Sequence, residues 1–428
     1  MKKEHRSLGL AAVMLLVSVG FINAGGQSEP AKATAPAPSA KPVVLRWFTN
    51  VQSQIEIDQW KELAADVTKQ YPNITVEIES TDWNNYWTKL PAAIASGSTQ
   101  DLLTMQGQRS AGFATQGCIP LNDFIAKDKN LNFDDFEKGI LGSLSVDGKV
   151  YGLPYDVGPF LLFYNIDLFD KYGVPYPDDK MDLSGFLDRA RKLTQDGNYG
   201  YAPSIHWERI MPFVLGNDVT FYDAKGKYNL NRPEIIQAAK FYSELITKEK
   251  VAPAIINTGN QYQDRESFYA GKCGMYIDGP WNITNIKKNS KFKLGAAPMM
   301  IGMKKRATMT AGSGFMVSKT SKYPLEAYQA LTVLTGKASL EKLAGWGRAL
   351  PARKSGQHVF FEKNTDVKGL VEAMAVSGQP GVSFPYQPPA NYQQAYLIII
   401  NNFTQPILLG LETVENAAAK TQKLLDEL

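Results

Sequence analysis

Trp281 closes the run Gly271-Lys272-Cys273-Gly274-Met275-Tyr276-Ile277-Asp278-Gly279-Pro280-Trp281-Asn282. The apolar stretch before it reads as a strand, and Asp-Gly-Pro forces a turn at its end. A large ring held at a strand end is suited to stack on the apolar C–H face of a sugar. An isolated tryptophan more often packs a core, so the accompanying residues have to decide between the two. A neutral polyol offers many hydroxyl donors and acceptors but no charge. A site for it therefore needs flat rings and planar polar side chains.

Groups that would do metal or covalent chemistry are scarce. Beyond Ala24 the chain has two histidines, His206 and His358, and neither shows metal-ligand spacing. There is no Cys-x-x-Cys, His-Glu-x-x-His, Gly-x-Ser-x-Gly or Gly-x-x-x-x-Gly-Lys. No metal and no cofactor are expected, and His206 reads as a helix-start or surface residue rather than a base. A secreted glycoside hydrolase would need two carboxylates flanking a glycosidic bond. Asp156 and Glu208 could be drafted for that, although the sequence marks neither as an acid with a raised pKa.

The elements that must hold these residues begin late in the chain. Lys2, Lys3 and Arg6 precede the apolar run Leu8 to Val19, and Ile22-Asn23-Ala24 ends in a small residue, the pattern of a signal peptide over 1–24. Residues 25–42 are rich in Pro, Ala, Gly and Ser and read as a semi-extended linker. The signal implies an exported chain, periplasmic or on the outer face of the cytoplasmic membrane; Gly25 stands where a lipidated cysteine would be, so a soluble periplasmic protein is expected, with anchoring through the tether as the alternative.

From position 43 onward 386 residues remain, more than one comfortable core, so two lobes are expected. Without Met1–Ala24 the chain carries 43 basic and 41 acidic residues. That balance argues against nucleic acid or an anionic membrane as the main partner. The two cysteines, Cys118 and Cys273, sit in apolar settings, and two buried free thiols are expected even though export would permit a disulfide.

Val43 to Phe48 reads as a strand, Gln54 to Tyr71 as a helix with Trp60, Leu63, Val67 and Tyr71 on one face, and Ile74 to Ile78 as the next strand. Strand, amphipathic helix and strand in this order imply a βαβ unit and a parallel sheet. A helix from Trp83 to Ala95 and a short buried strand from Asp101 to Met105 continue the pattern. Asn231-Arg232-Pro233-Glu234 reads as an N-cap, a first-turn proline and a capping-box glutamate, opening a helix with Ile235, Ala239, Tyr242 and Ile246 on one face. A last helix from about Glu412 carries Val414, Ala417, Ala418, Thr421, Leu424 and Leu425.

Five stretches together resemble the family 1 extracellular solute-binding proteins, the group that includes maltose-binding protein. They are Tyr86-Trp87-Thr88-Lys89-Leu90 with Ala92 to Gly97 and then Asp101; Asp147 to Asp156; Phe163 to Pro175; Glu266 through Trp281; and Ala311 to Lys319. The resemblance covers nearly all of 43–428. It implies an α/β fold of two lobes with a hinge and a ligand cleft between them, lobe 1 being 43–155 plus 300–337 and lobe 2 being 156–299 plus 338–428. It also implies a monomer that traps a solute by closing and delivers it to the permease subunits of an ABC importer. Sugar, a di- or oligosaccharide, is the expected solute; a non-sugar solute or a secreted carbohydrate-active enzyme is the alternative.

The expected ligand-binding residues follow. Trp281 matches the family's stacking tryptophan. Tyr155 and Asp156 lie at the first crossing between lobes. Gln106 and Gln108 follow the strand ending at Met105. Trp346 and Arg348 match a loop that reaches the cleft in relatives. Asp82 and Trp83 precede a helix that Asp82 can cap. Trp207 and Glu208 stand at a helix start, and Asn50 follows the first strand. Gly312 and Ser313 lie on a glycine-rich return strand, where Ser313 can offer backbone N–H groups to hydroxyls.

Overall fold

The computed structural model describes residues 41–428 except 52, 224, 257–261 and 386. The expected signal peptide and all of the expected linker but Lys41 and Pro42 lie outside the described residues.

The first strand, β1 (Val43–Asn50), pairs in parallel with β2 (Ile74–Thr81) from Val43↔Ile74 to Asn50↔Thr81. Helix α1 (Gln54–Gln70) connects them and buries Trp60, Leu63 and Val67, which makes the expected βαβ unit. Helix α2 (Trp83–Ser96) leads to β3 (Leu102–Gln106), parallel to β1 on its other side, and α3 (Gly107–Gly117) follows directly. A tight hairpin with Asp147 and Gly148 both at positive φ, the geometry that suits two-residue turns, precedes β4 (Gly152–Pro154). The first sheet has the order β2-β1-β3-β11-β4, where β11 (Ser313–Val317) returns antiparallel.

After β5 (Gly158–Pro159) the chain enters a second sheet: β6 (Leu161–Asn165), β7 (Tyr199–Ala202), β8 (Cys273–Asp278) and β9 (Leu294–Ala297), in the order β9-β6-β8-β7. A third small sheet, β12-β10-β5, with β10 (Thr308–Ala311) and β12 (Ser383–Pro385), lies where the chain passes between the other two. A further passage runs through 350–352: Val157 N–H donates to Leu350 O at 3.1 Å and Ala352 N–H to Tyr155 O at 3.1 Å. The architecture is a two-lobed α/β fold.

Strand alternation builds the cores. On β6, Leu161 and Phe163 join an apolar cluster that also fills the first sheet, while Leu162 and Tyr164 join a second cluster on the opposite face. The shared first cluster packs the sheets together, and Lys41–Leu428 form one compact unit. Cys118 and Cys273 are buried and free, as expected.

Two local readings need correction. The helix Pro233–Thr247 has Arg232, not Asn231, at its N-cap, without a side-chain cap; Glu234 lies 3.7 Å from Arg232 instead of closing a capping box. The C-terminal helix is Val414–Leu425, capped by Thr413, and Leu424 is 37% exposed because it lies at the margin of the buried stripe centred on Val414, Ala418, Thr421 and Leu425.

Candidate ligand-binding cleft

A cavity of about 750 Å³ opens at the carboxyl ends of the first-sheet strands β1 and β3 and of β8, the place where parallel α/β sheets leave room for ligands. Thirteen of the fourteen candidate residues line it: Asn50, Asp82, Trp83, Gln106, Gln108, Tyr155, Asp156, Glu208, Trp281, Gly312, Ser313, Trp346 and Arg348.

Trp207 does not. Its side chain is fully buried, edge-on to Phe221 at 4.8 Å and tilted against Tyr392 at 5.9 Å. The short 3₁₀ turn Trp207–Arg209 sends its first side chain into the second core and presents the next two to the cavity. Ser313 also differs from expectation. Its N–H donates to Asp156 Oδ1 at 2.6 Å, so that group is committed to the crossing strands rather than offered to a ligand. Asp82 both caps α2, accepting from Asn85 N–H at 3.1 Å, and lines the cavity.

Trp281 is half-buried on the turn Pro280–Asn282 that follows β8. Its ring meets Phe160 edge-on at 5.6 Å. Gly279 makes this possible, since a Cβ there would fall 2.1 Å from the indole. The tryptophan therefore rests on a core while also lining open space.

Sequence reasoning missed several lining residues. Trp87 follows Trp83 by one helical turn on α2, a spacing that signals a shared face. Arg109 adjoins Gln108 on α3. Its guanidinium lies 4.6 Å from the Trp87 ring and 5.4 Å from Tyr396, and donates to Gln393 at 3.0 Å. Tyr396 also lies 2.7 Å, by its hydroxyl, from His206 Nδ1. No local signal links residues so far apart in sequence.

The charges that line the cavity balance. Glu56, Asp82, Asp156, Glu208 and Glu266 face Arg109, Arg209, Arg265, Lys288 and Arg348. Several are already engaged. Arg348 donates to Glu56 at 3.1 Å, and burial works against the Arg348 charge while Glu56 raises its pKa. Arg209 donates to Asp278 at 3.0 Å. Burial pushes the Asp156 carboxyl up to about 6, against the opposing influence of Arg348 and the Ser313 N–H. Burial lowers the pKa of His206. Glu208 Oε1 accepts from Tyr392 OH at 3.0 Å, while Oε2, equally buried, has no partner among the described residues. Glu208 as a residue lines the cavity beside Asn and Gln amides, a set of groups suited to hydroxyls.

Two α/β lobes and a cavity lined by rings, amides and charges at their strand ends are the architecture of a two-lobed solute-binding fold. A family model for bacterial extracellular solute-binding proteins matches residues 62–369, and the chain belongs to that family. A putative binding protein of Brucella abortus (strain 2308) is 25% identical over 386 residues, covering 86% of this chain and 89% of the relative. The maltodextrin-binding protein MdxE of Bacillus subtilis is 22% identical over 335 residues, with 73% and 75% covered. In three dimensions the chain is similar to an ABC substrate-binding protein of Listeria monocytogenes in complex with cycloalternan, with a TM-score of 0.81, 21% identity, and 91% and 99% of the two chains covered. Membership makes the chain an exported protein, and no helix among the described residues is long and apolar enough to cross a membrane.

Proposed function

We propose that this protein captures a neutral sugar, a di- or oligosaccharide, in the cleft and hands it intact to the permease of an ABC importer, acting as a monomer without catalysis. The observation that carries the reading is the lining of the cavity. Three tryptophans, Trp83, Trp281 and Trp346, supply ring surface, while Trp87 is buried beneath Arg109 at the cavity wall. Asn50, Gln106 and Gln108 supply planar amides, and acidic and basic groups line the cavity in equal number. A volume of about 750 Å³ falls within the range of roughly 300–1,000 Å³ usual for ligand pockets. The names of the relatives, for maltodextrin and cycloalternan, point the same way.

In this reading lobe 1 comprises 43–155 plus 300–337 and lobe 2 comprises 156–299 plus 338–428. The solute favours closure because only the closed form contacts both faces. Trp281 and Trp346 stack on ring faces, while Glu208, Arg348 and the amides bind hydroxyls.

One observation favours the rival glycoside hydrolase: Asp156 is held near pKa 6, as a general acid would be. Its Oδ1 accepts the Ser313 N–H, however, which gives the carboxyl a fixed structural duty. A thermal-shift screen with maltose, maltotriose, mannobiose, glycerol 3-phosphate and amino acids tests the proposal. Bound ligand at a hundredfold its Kd adds about 2.7 kcal/mol of stability. Stabilisation by a sugar that is recovered intact and in stoichiometric amount supports the receptor. Turnover of the sugar supports the hydrolase, and stabilisation only by an ionic solute sinks the sugar assignment.

A further inference from the structure

Asp278 ends β8 with its side chain wholly inaccessible to solvent. A carboxylate so placed is costly unless every lone pair is used. Oδ1 accepts from Gly279 N–H at 2.9 Å and from Arg209 Nη2 at 3.0 Å. Oδ2 accepts from Tyr276 OH at 2.6 Å and Asn282 Nδ2 at 3.0 Å, and Arg265 Nε lies 3.6 Å away. Burial would raise the Asp278 pKa, but Arg209 and Arg265 hold it below the ordinary value.

The partners fall on both sides of one residue. Gly279 precedes the turn that carries Trp281, and Asn282 ends it. Arg209 in turn sits 4.5 Å over the Phe160 ring, against whose face or edge Trp281 packs at 70°. One carboxylate thus fixes the turn before the tryptophan, the turn after it, and the ring beneath it. Arg209 and Arg265 themselves line the cavity.

We propose that Asp278 is a positioning residue for solute binding: it clamps the Trp281 turn and aims Arg209 and Arg265 without itself reaching the ligand. The inference rests on the receptor reading above. Physically, a stacking plate must be held still before the ligand arrives, or binding also has to order it. The carboxylate is required, because an amide offers one acceptor oxygen to donors that come from five groups and returns an N–H₂ among them.

The chain contains seven tryptophans, so biosynthetic labelling with 5-fluorotryptophan gives seven ¹⁹F resonances, and Trp281→Phe identifies the relevant one. In the ligand-free protein, Asp278→Asn is expected to shift or broaden the Trp281 line while the other six stay in place. Binding of maltotriose, followed calorimetrically, should weaken at least tenfold. Asn282→Ala, which removes one donor to Asp278 together with the acceptor of the Tyr269 hydroxyl, provides a second variant should Asp278→Asn fail to fold, and is expected to move the same line. An unmoved Trp281 line in a folded variant with a lowered melting temperature would overturn the clamp, and so would displacement of all seven lines in both variants. The ligand-free spectrum separates this proposal from the sugar assignment: a clamp that holds in a protein indifferent to maltotriose counts against the assignment alone.

Discussion

Replacing Asp156 by Asn tests the electrostatics of the crossing strands directly. The amide oxygen can still accept the Ser313 N–H, and Arg348 keeps Glu56 as its partner. What disappears is the buried charge. Burial raises the Asp156 pKa from its ordinary 3.8 to about 6, so the folded state holds a proton over a range in which the unfolded chain has lost it. Stability contributed by the protonated form is complete below 3.8 and is lost as pH rises through about 6. The gap corresponds to about 3 kcal/mol at neutral pH. For a body spanning Lys41–Leu428, an unfolding entropy of roughly 0.8 kcal/mol/K converts this to about 4 °C in Tm.

Ligand-free wild-type and Asp156→Asn proteins would be compared by urea unfolding, followed by circular dichroism, at a series of pH values from about 4 to about 8. Taking the difference between the two proteins cancels the titrations of groups that do not interact with Asp156. The variant is expected to gain on the wild type by about 2 kcal/mol between the ends of the series, with the midpoint near 5. A difference that is flat with pH, or one in which the variant loses ground as pH rises, would refute the reasoning and mean that Arg348 holds Asp156 ionised.

Trp281→Ala should weaken sugar binding at least tenfold with a small change in ligand-free Tm, whereas Trp207→Ala should cost about 3–5 kcal/mol of stability through cavity formation; equal stability losses would assign both rings to the core. Glu56→Gln should destabilise the protein by about 2 kcal/mol, because the half-buried Arg348 loses its carboxylate; an unchanged urea midpoint would refute that dependence. Cys118, with its thiol pushed up to about 12 by burial, and Cys273, raised further by the same cause, should both be inert to a thiol reagent in the native protein and react fully in urea. Rapid native labelling would show that local opening exposes them.

Local chemistry carried much of this protein in its order of residues. The period of Trp60, Leu63 and Val67 made α1 a helix because only the 3.6-residue repeat brings those side chains to one face. The β-branched and aromatic content of Val43 to Phe48 made β1, and the helical crossover between β1 and β2 made their pairing parallel. Asp-Gly-Pro before Trp281 dictated a turn, and the turn carried the ring to a strand end.

Tertiary structure decided what each polar or aromatic group faces. Trp207 and Glu208 are adjacent, yet one is core and the other lines the cleft, since a 3₁₀ turn rotates neighbours apart by about 120°. Glu56 meets Arg348 across 292 positions, and His206 meets Tyr396 across 190, so neither pairing leaves a local trace. The raised pKa of Asp156 and the crowding around Asp278 are likewise products of burial. Burial is a property of the space between elements, and it is set only when the sheets pack.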